Sequence, residues 1–203
     1  MSDLAAPRSA QRRRRADAER NIATILDAAG RVLGERPDAS MDDIAKAAGI
    51  SRQTVYSHFP SRDALLAGLL ADVTERVVDA IEAADLDTGP ASDALLRFLD
   101  VSWRVFEGDP FLLHLTNPPM SSQEEHDQHE PILGPLERLI RRGQRDGDFD
   151  PMLPVSWLLS ATIGLGHAAG EEVRAGRMTS DDAISTLRRS IPRLFSATGP
   201  GAS

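Results

Sequence analysis

Cysteine is absent from this chain of 203 residues, lysine occurs once, at Lys46, and aromatic residues make up only 4%. Without thiols there is no disulfide scaffold and no cysteine zinc site. The arginine-bearing N-terminus is not followed by the apolar core of a signal peptide, which predicts an intracellular, cytoplasmic protein. Residues 151–170 lack Asp, Glu, Lys and Arg and have nearly the length of a membrane span. They also hold two prolines, three glycines, Thr162 and His167, and the acids Asp150, Glu171 and Glu172 flank them. A buried helix is expected there, and no membrane. No nucleophile–base pair, phosphate loop or pair of carboxylates is recognisable, so the chain reads as a non-enzyme without cofactor. His126 and His129, three apart in an acidic run, lack converging ligands from elsewhere and are not expected to hold a metal.

What the chain does have is Ala, Leu and Arg at helical periodicity. Residues 40–59, SMDDIAKAAGISRQTVYSHF, read as two short helices joined by a tight turn. Met41, Ile44, Ala45 and Ala48 give the first helix an apolar face. Ser40 is placed to cap it, and Asp42 and Asp43 sit in its first turn, where the helix dipole favours acids. Gly49 suits the left-handed residue that ends a helix. Ser51 can cap the second helix, in which Val55 and Phe59 face inward while Arg52, Gln53, Thr54, Tyr56, Ser57 and His58 are left outward. Such spacing fits a helix-turn-helix whose second helix enters the major groove, and equally a plain helical hairpin.

The strings Asp43-Ile44-Ala45, Ala48-Gly49-Ile50-Ser51, Thr54-Val55-Tyr56-Ser57-His58-Phe59 and Ser61-Arg62-Asp63-Ala64-Leu65-Leu66 resemble the N-terminal domain of TetR-family transcriptional regulators. The resemblance covers about residues 18–70. Beyond it, only the length and the helical layout are similar to that family. Residues 36–39, Arg-Pro-Asp-Ala, depart from the family's glycine and aromatic at this point.

The resemblance implies an all-α chain: a three-helix helix-turn-helix DNA-binding domain, then a helical ligand-binding and dimerisation domain. Residues 1–16 are expected to form a flexible Arg-rich arm, residues 17–62 the DNA-binding domain, and residues 63–203 the body. The charge divides accordingly. Residues 1–62 hold 11 Lys/Arg against 8 Asp/Glu, a balance of +3, and the rest hold 12 against 23, a balance of −11. A basic end on an acidic body points to nucleic acid at the N-terminus. The arginines at 12–15 either reach DNA or form a solvated tail.

Ser40, Ser51, Arg52, Gln53, Thr54, Tyr56, Ser57, His58 and Arg62 are the candidate DNA contacts. Arg52 and Gln53 offer paired hydrogen bonds to base edges, and hydroxyls suit phosphates. Tyr56 and His58 resemble the family's backbone-contacting pair, although His58 also fits a half-buried histidine at a helix end. Arg62 opens a helix, where a cation is unfavourable unless a phosphate partners it. The matching family position contacts the DNA backbone.

In the body, apolar stripes predict helices at about 62–83, 92–107, 123–145, 155–170 and 180–195, with a short one near Phe111. Pro131 and Pro135 should kink or restart the third of these. Trp103, Phe106, Phe111, His114, Met120, Trp157, Thr162 and His167 are candidates to line a cavity for a small, mainly apolar molecule. The family implies a homodimer through the last two helices, a palindromic operator and a repressor released by an effector. Two rivals remain: a DNA-binding regulator without an effector, and a helical binding module or enzyme with a vestigial helix-turn-helix.

Overall fold

The computed structural model describes residues 6–109 and 122–196, with side chains described for 12–109 and 131–196. The described residues are all-helical: α1 (Ala6–Glu35), α2 (Met41–Ala48), α3 (Arg52–His58), α4 (Arg62–Ala83), α5 (Ala91–Glu107), α6 (Ser122–Asp146), α7 (Val155–Arg174) and α8 (Ser180–Phe195). They fall into two compact units that divide between Asp72 and Val73, inside α4. The expected boundary at residue 62 is therefore ten residues early: Leu65 and Leu69 at the start of α4 are buried in the first unit.

In the N-terminal unit, α1 packs on α2 and α2 on α3. Ile25, Leu33, Ile44, Val55 and Leu65 are completely buried and form its centre. Ile22, at helical spacing from the buried Ile25, Leu26 and Ala29, is nevertheless 36% exposed. Gly68 lies against Phe59 so closely that a Cβ there would come within 2.6 Å of the ring. The glycine weakens α4 intrinsically, by about 1 kcal/mol relative to alanine, and in return the aromatic ring closes the core.

The expected flexible arm is a correction: from Ala6 onward it is the start of α1, which runs unbroken to Glu35. Ala, Gln and Arg are strong helix formers, and Pro7 is tolerated in a first turn, so propensity alone carries the helix outward. Arg12, Arg13, Arg14 and Arg15 are exposed on it.

In the second unit, α5 packs on α6 and α8, and α7 packs on α6 and α8. Its core is centred on Leu95, Leu136, Ile140, Leu158, Ile191 and Phe195. Phe149 meets Phe195 edge-on at 5.0 Å and lies directly on Gly143, where no Cβ would fit. Polar side chains secure the loops. Asp148 accepts from the backbone N–H of Ala91 at 2.6 Å, and Arg142 donates to the carbonyls of Leu86 and Gly89. Asp109 is buried and takes a 2.6 Å ion pair from Arg76.

Two further expectations are corrected. α6 runs as one helix across Pro131 and Pro135, so it does not restart there. Each proline removes one donor, but Leu136, Leu139 and Ile140 are fully packed and hold the segment helical. The uncharged stretch before Gly170 is not a buried helix throughout. α7 starts at Val155 and buries only Leu158, Thr162, Ala169 and Gly170, leaving Trp157, Ser160, Gly164 and Ala168 exposed. Among the described residues no helix is long and apolar enough to cross a membrane.

Candidate nucleic-acid interface

Each short helix here begins on a serine, because neither could satisfy its first N–H groups alone. Ser40 accepts from the Asp43 N–H at 3.2 Å, and the Asp43 carboxylate accepts from the Ser40 N–H at 3.0 Å and from its hydroxyl at 2.6 Å. This reciprocal box holds the Asp43 carboxyl below its ordinary range, chiefly through the Ser40 hydroxyl, then its backbone N–H; desolvation opposes them, and Arg36 and Lys46 add weaker attraction. Since a carboxylate cannot donate, the Ser40 hydroxyl proton is committed to Asp43. Ser40 is thus a cap first.

Gly49 ends α2 at φ +66, and the Ile50 N–H returns to the Ala45 carbonyl at 3.1 Å. This left-handed turn sets the entry of α3. Ser51 accepts from the Thr54 N–H at 3.2 Å and shares a 2.8 Å bond with the Thr54 hydroxyl. Val55 is fully buried, so the remainder of α3 is oriented outward. Arg52, Gln53 and Ser57 are exposed, Tyr56 is 37% exposed, and Thr54 and His58 are half-buried. Ser57 donates to the Thr54 carbonyl at 2.7 Å. The Arg52 guanidinium is held twice: Nη1 donates to Asp42 at 2.7 Å, and its carbon lies 5.3 Å from the centre of the Tyr56 ring.

Arg62 corrects an inference. Its guanidinium donates to the carbonyls of Ala39 and, at 2.5 Å, of Pro37. The cation at the start of α4 is explained by these two carbonyls without a phosphate. Arg62 ties down the residue 36–39 loop, the segment that departs from the family pattern.

The family profile described as "Bacterial regulatory proteins, tetR family" matches residues 25–69, which contain all of α2 and α3. Residues 25–69 carry a TetR-type N-terminal domain. Over 82 residues the chain is 44% identical to the HTH-type transcriptional repressor LfrR of Mycolicibacterium smegmatis, covering 40% of this chain and 43% of that protein. It is 26% identical over 181 residues to the HTH-type transcriptional regulator NfxB of Pseudomonas aeruginosa, covering 88% and 95%. The chain spans about half the length or less of the first curated relatives it matches. The crystal structure of LfrR from Mycobacterium smegmatis in complex with proflavine superposes with a TM-score of 0.63 at 28% identity, over 85% of this chain and 95% of that one. The fatty acid degradation regulator FadR of Bacillus halodurans shares the fold at a TM-score of 0.72 and 19% identity, over 84% and 93%. These relatives are named as regulators, not enzymes.

A TetR-like body follows the DNA-binding unit, and of the eight residues expected to line its cavity five are described. Phe111, His114 and Met120 lie outside the described residues, as does the short helix expected near Phe111. Trp103 is buried and donates its indole N–H to Ser180 at 3.0 Å. Phe106 packs against Trp103 at 5.2 Å and against Gly170, where a Cβ would come within 2.6 Å of its ring. Thr162 is buried, with its hydroxyl bonded to the Leu158 carbonyl at 2.8 Å, and His167 is half-buried. Trp157 is 56% exposed, which corrects its placement in an interior cavity: it lies on the uncovered face of α7.

Two features were missed in the sequence. An open groove of about 570 Å³ runs between α5 and the end of α4, lined by Ala80, Ala84, Arg97, Val101, Arg104 and Val105 among others. Its residues alternate charged and small apolar types on outward faces, which sequence reading assigns to ordinary solvated surface. The second is Ser102, whose buried hydroxyl has no hydrogen-bond partner. A serine inside a helix gives no sign in sequence of whether its hydroxyl is satisfied. The acidic run around His126 and His129 lies where side chains are not described.

Proposed function

We propose that this protein is a homodimeric transcriptional repressor of the TetR family that binds a palindromic operator and is released by a small, mainly apolar molecule. The observation that carries the DNA-binding part is α3: capped, anchored by Val55, and presenting Arg52, Gln53, Tyr56 and Ser57 on one exposed surface. One such helix reads too few base pairs for selectivity, which favours two copies on a palindrome. The exposed Trp157, Gly164 and Ala168 on α7 support pairing through α7 and α8. Gln53, Tyr56 and Ser57 are assigned to base edges and phosphates, with Thr54, His58 and Arg62 at the margins and the caps Ser40 and Ser51 positioning the helices.

LfrR is named a repressor and was crystallised with proflavine, which supports repression and a small-molecule effector here. α4 belongs to both units, so an effector that favours one position of α4 changes operator affinity by its preference for that state. The satisfied polar groups of Trp103 and Thr162, together with the exposed Trp157, favour a second reading: a regulator with no effector in that region.

The test is binding to DNA spanning the protein's own promoter at two salt concentrations, with wild type, Tyr56→Phe and Gln53→Ala. Saturable, salt-sensitive binding to a palindrome, weakened by both changes, is the expected result. Weak binding indifferent to sequence and to both changes would overturn the assignment. With the operator in hand, release by aromatic and aliphatic compounds separates the two readings.

A further inference from the structure

Arg52 is the first residue of the recognition helix, and its side chain is oriented before any DNA arrives. Asp42 takes Nη1 at 2.7 Å, and the Tyr56 ring lies 5.3 Å away as a platform. Asp42 itself is fixed on α2: its Oδ1 is shut off from solvent without a partner, and Oδ2 is committed to Arg52. The pair is well exposed, with side-chain exposures of 66% for Arg52 and 43% for Asp42. An ion pair this exposed adds little to stability, so its main consequence is where it leaves the arginine.

With Nη1 occupied, the free edge of the guanidinium is the one formed by Nε and Nη2. That edge carries two parallel N–H donors. Guanine offers two matching acceptors, O6 and N7, in the major groove, whereas adenine sets a donor beside its N7 and cytosine offers a donor. The carboxylate also repels phosphate, which removes the commonest competing partner for an exposed arginine. Resting on the DNA-binding reading above, the geometry points to Asp42 as a positioning residue that commits Arg52 to one guanine in each operator half-site. Asp42 therefore acts on specificity, through Arg52.

Selection of binding sites from random duplexes, followed by titration of single-base variants, tests this with wild type, Asp42→Asn and Arg52→Lys. Wild type should prefer guanine at one half-site position by about tenfold or more, the range of a bidentate contact. Asp42→Asn should cut that preference to about threefold or less. It should also bind unrelated DNA more tightly, because a negative charge has been removed. A merely structural defect would weaken both kinds of binding. Arg52→Lys keeps the charge but not the fork, so it should reduce the guanine preference to about threefold or less with an unchanged salt slope. Asp42→Ser removes the same carboxylate if Asp42→Asn fails to fold. A guanine preference that survives either substitution would overturn the assignment while leaving the DNA-binding reading intact. No sequence preference in wild type would overturn both.

Discussion

At the scale of single residues, several polar side chains in the N-terminal unit are already engaged within the protein. The Ser40–Asp43 box is one, and losing the cap in Ser40→Ala should lower stability by about 1 kcal/mol at neutral pH. The box also has a pH signature. Asp43 is held below the ordinary aspartate value of 3.8, so its contribution is complete above that value and is lost as pH falls through the lower folded value. The difference between wild type and Ser40→Ala in urea denaturation should therefore shrink from pH 7 to pH 3, and an equal difference at both would refute the coupling. Arg62 is the second case. Arg62→Lys should destabilise the isolated protein by about 1–2 kcal/mol, because one ammonium cannot span the Ala39 and Pro37 carbonyls. Denaturation without DNA checks this, and a neutral effect would return Arg62 to the DNA backbone as its principal partner.

At the scale of elements, helix propensity and close packing pull in opposite directions at two glycines. Gly68 in α4 lies under Phe59, and Gly170 in α7 lies under Phe106, each with a ring atom 2.6 Å from where a Cβ would be. Alanine gains about 1 kcal/mol of propensity at such positions. Overpacking a ring that cannot swing aside costs about 1–3 kcal/mol, and Phe59 is nearly buried in its core. Gly68→Ala should accordingly be destabilising, with thermal unfolding as the measurement; a rise in Tm would mean that the ring yields. Arg12 to Arg15 present a different element-scale consequence. On a helix, successive side chains turn by about 100°, so four adjacent arginines cannot all face one DNA backbone. Replacing all four with alanine should lower the salt slope of operator binding by roughly 0.9 for each phosphate the arginines neutralise. The drop should be smaller than a flexible arm with every arginine on a phosphate would give, and a drop of that full size would mean that the start of α1 unwinds on DNA.

The whole molecule carries a basic end and an acidic body, +3 against −11, and an uncovered face on α7. Gly164 and Gly166 have nothing within 4 Å of an added Cβ, unlike Gly170 on the same helix. If α7 packs closely on its copy, Gly164→Leu should shift the protein from dimer to monomer in sedimentation while leaving its helical content unchanged. A dimer of undiminished stability would remove α7 from the proposed interface.

Local chemistry was enough to read two short helices and their turn from sequence, through serine caps, first-turn acids, a left-handed glycine and an apolar face that needs only its own neighbours. The family resemblance made them a helix-turn-helix. The stripes of α4, α5 and α8 were legible for the same reason, since periodicity follows from a helix having one buried side. Tertiary structure alone decided the rest. The start of α1 has propensity but no stripe, so nothing periodic marks it. Arg62 meets carbonyls more than twenty residues away, Asp42 meets Arg52 across the turn, and Trp157 is exposed because the neighbours of α7 leave that face uncovered. Contacts between residues distant in the chain depend on how helices are placed against one another, and the identity of an arginine or a tryptophan does not encode which partner it will find.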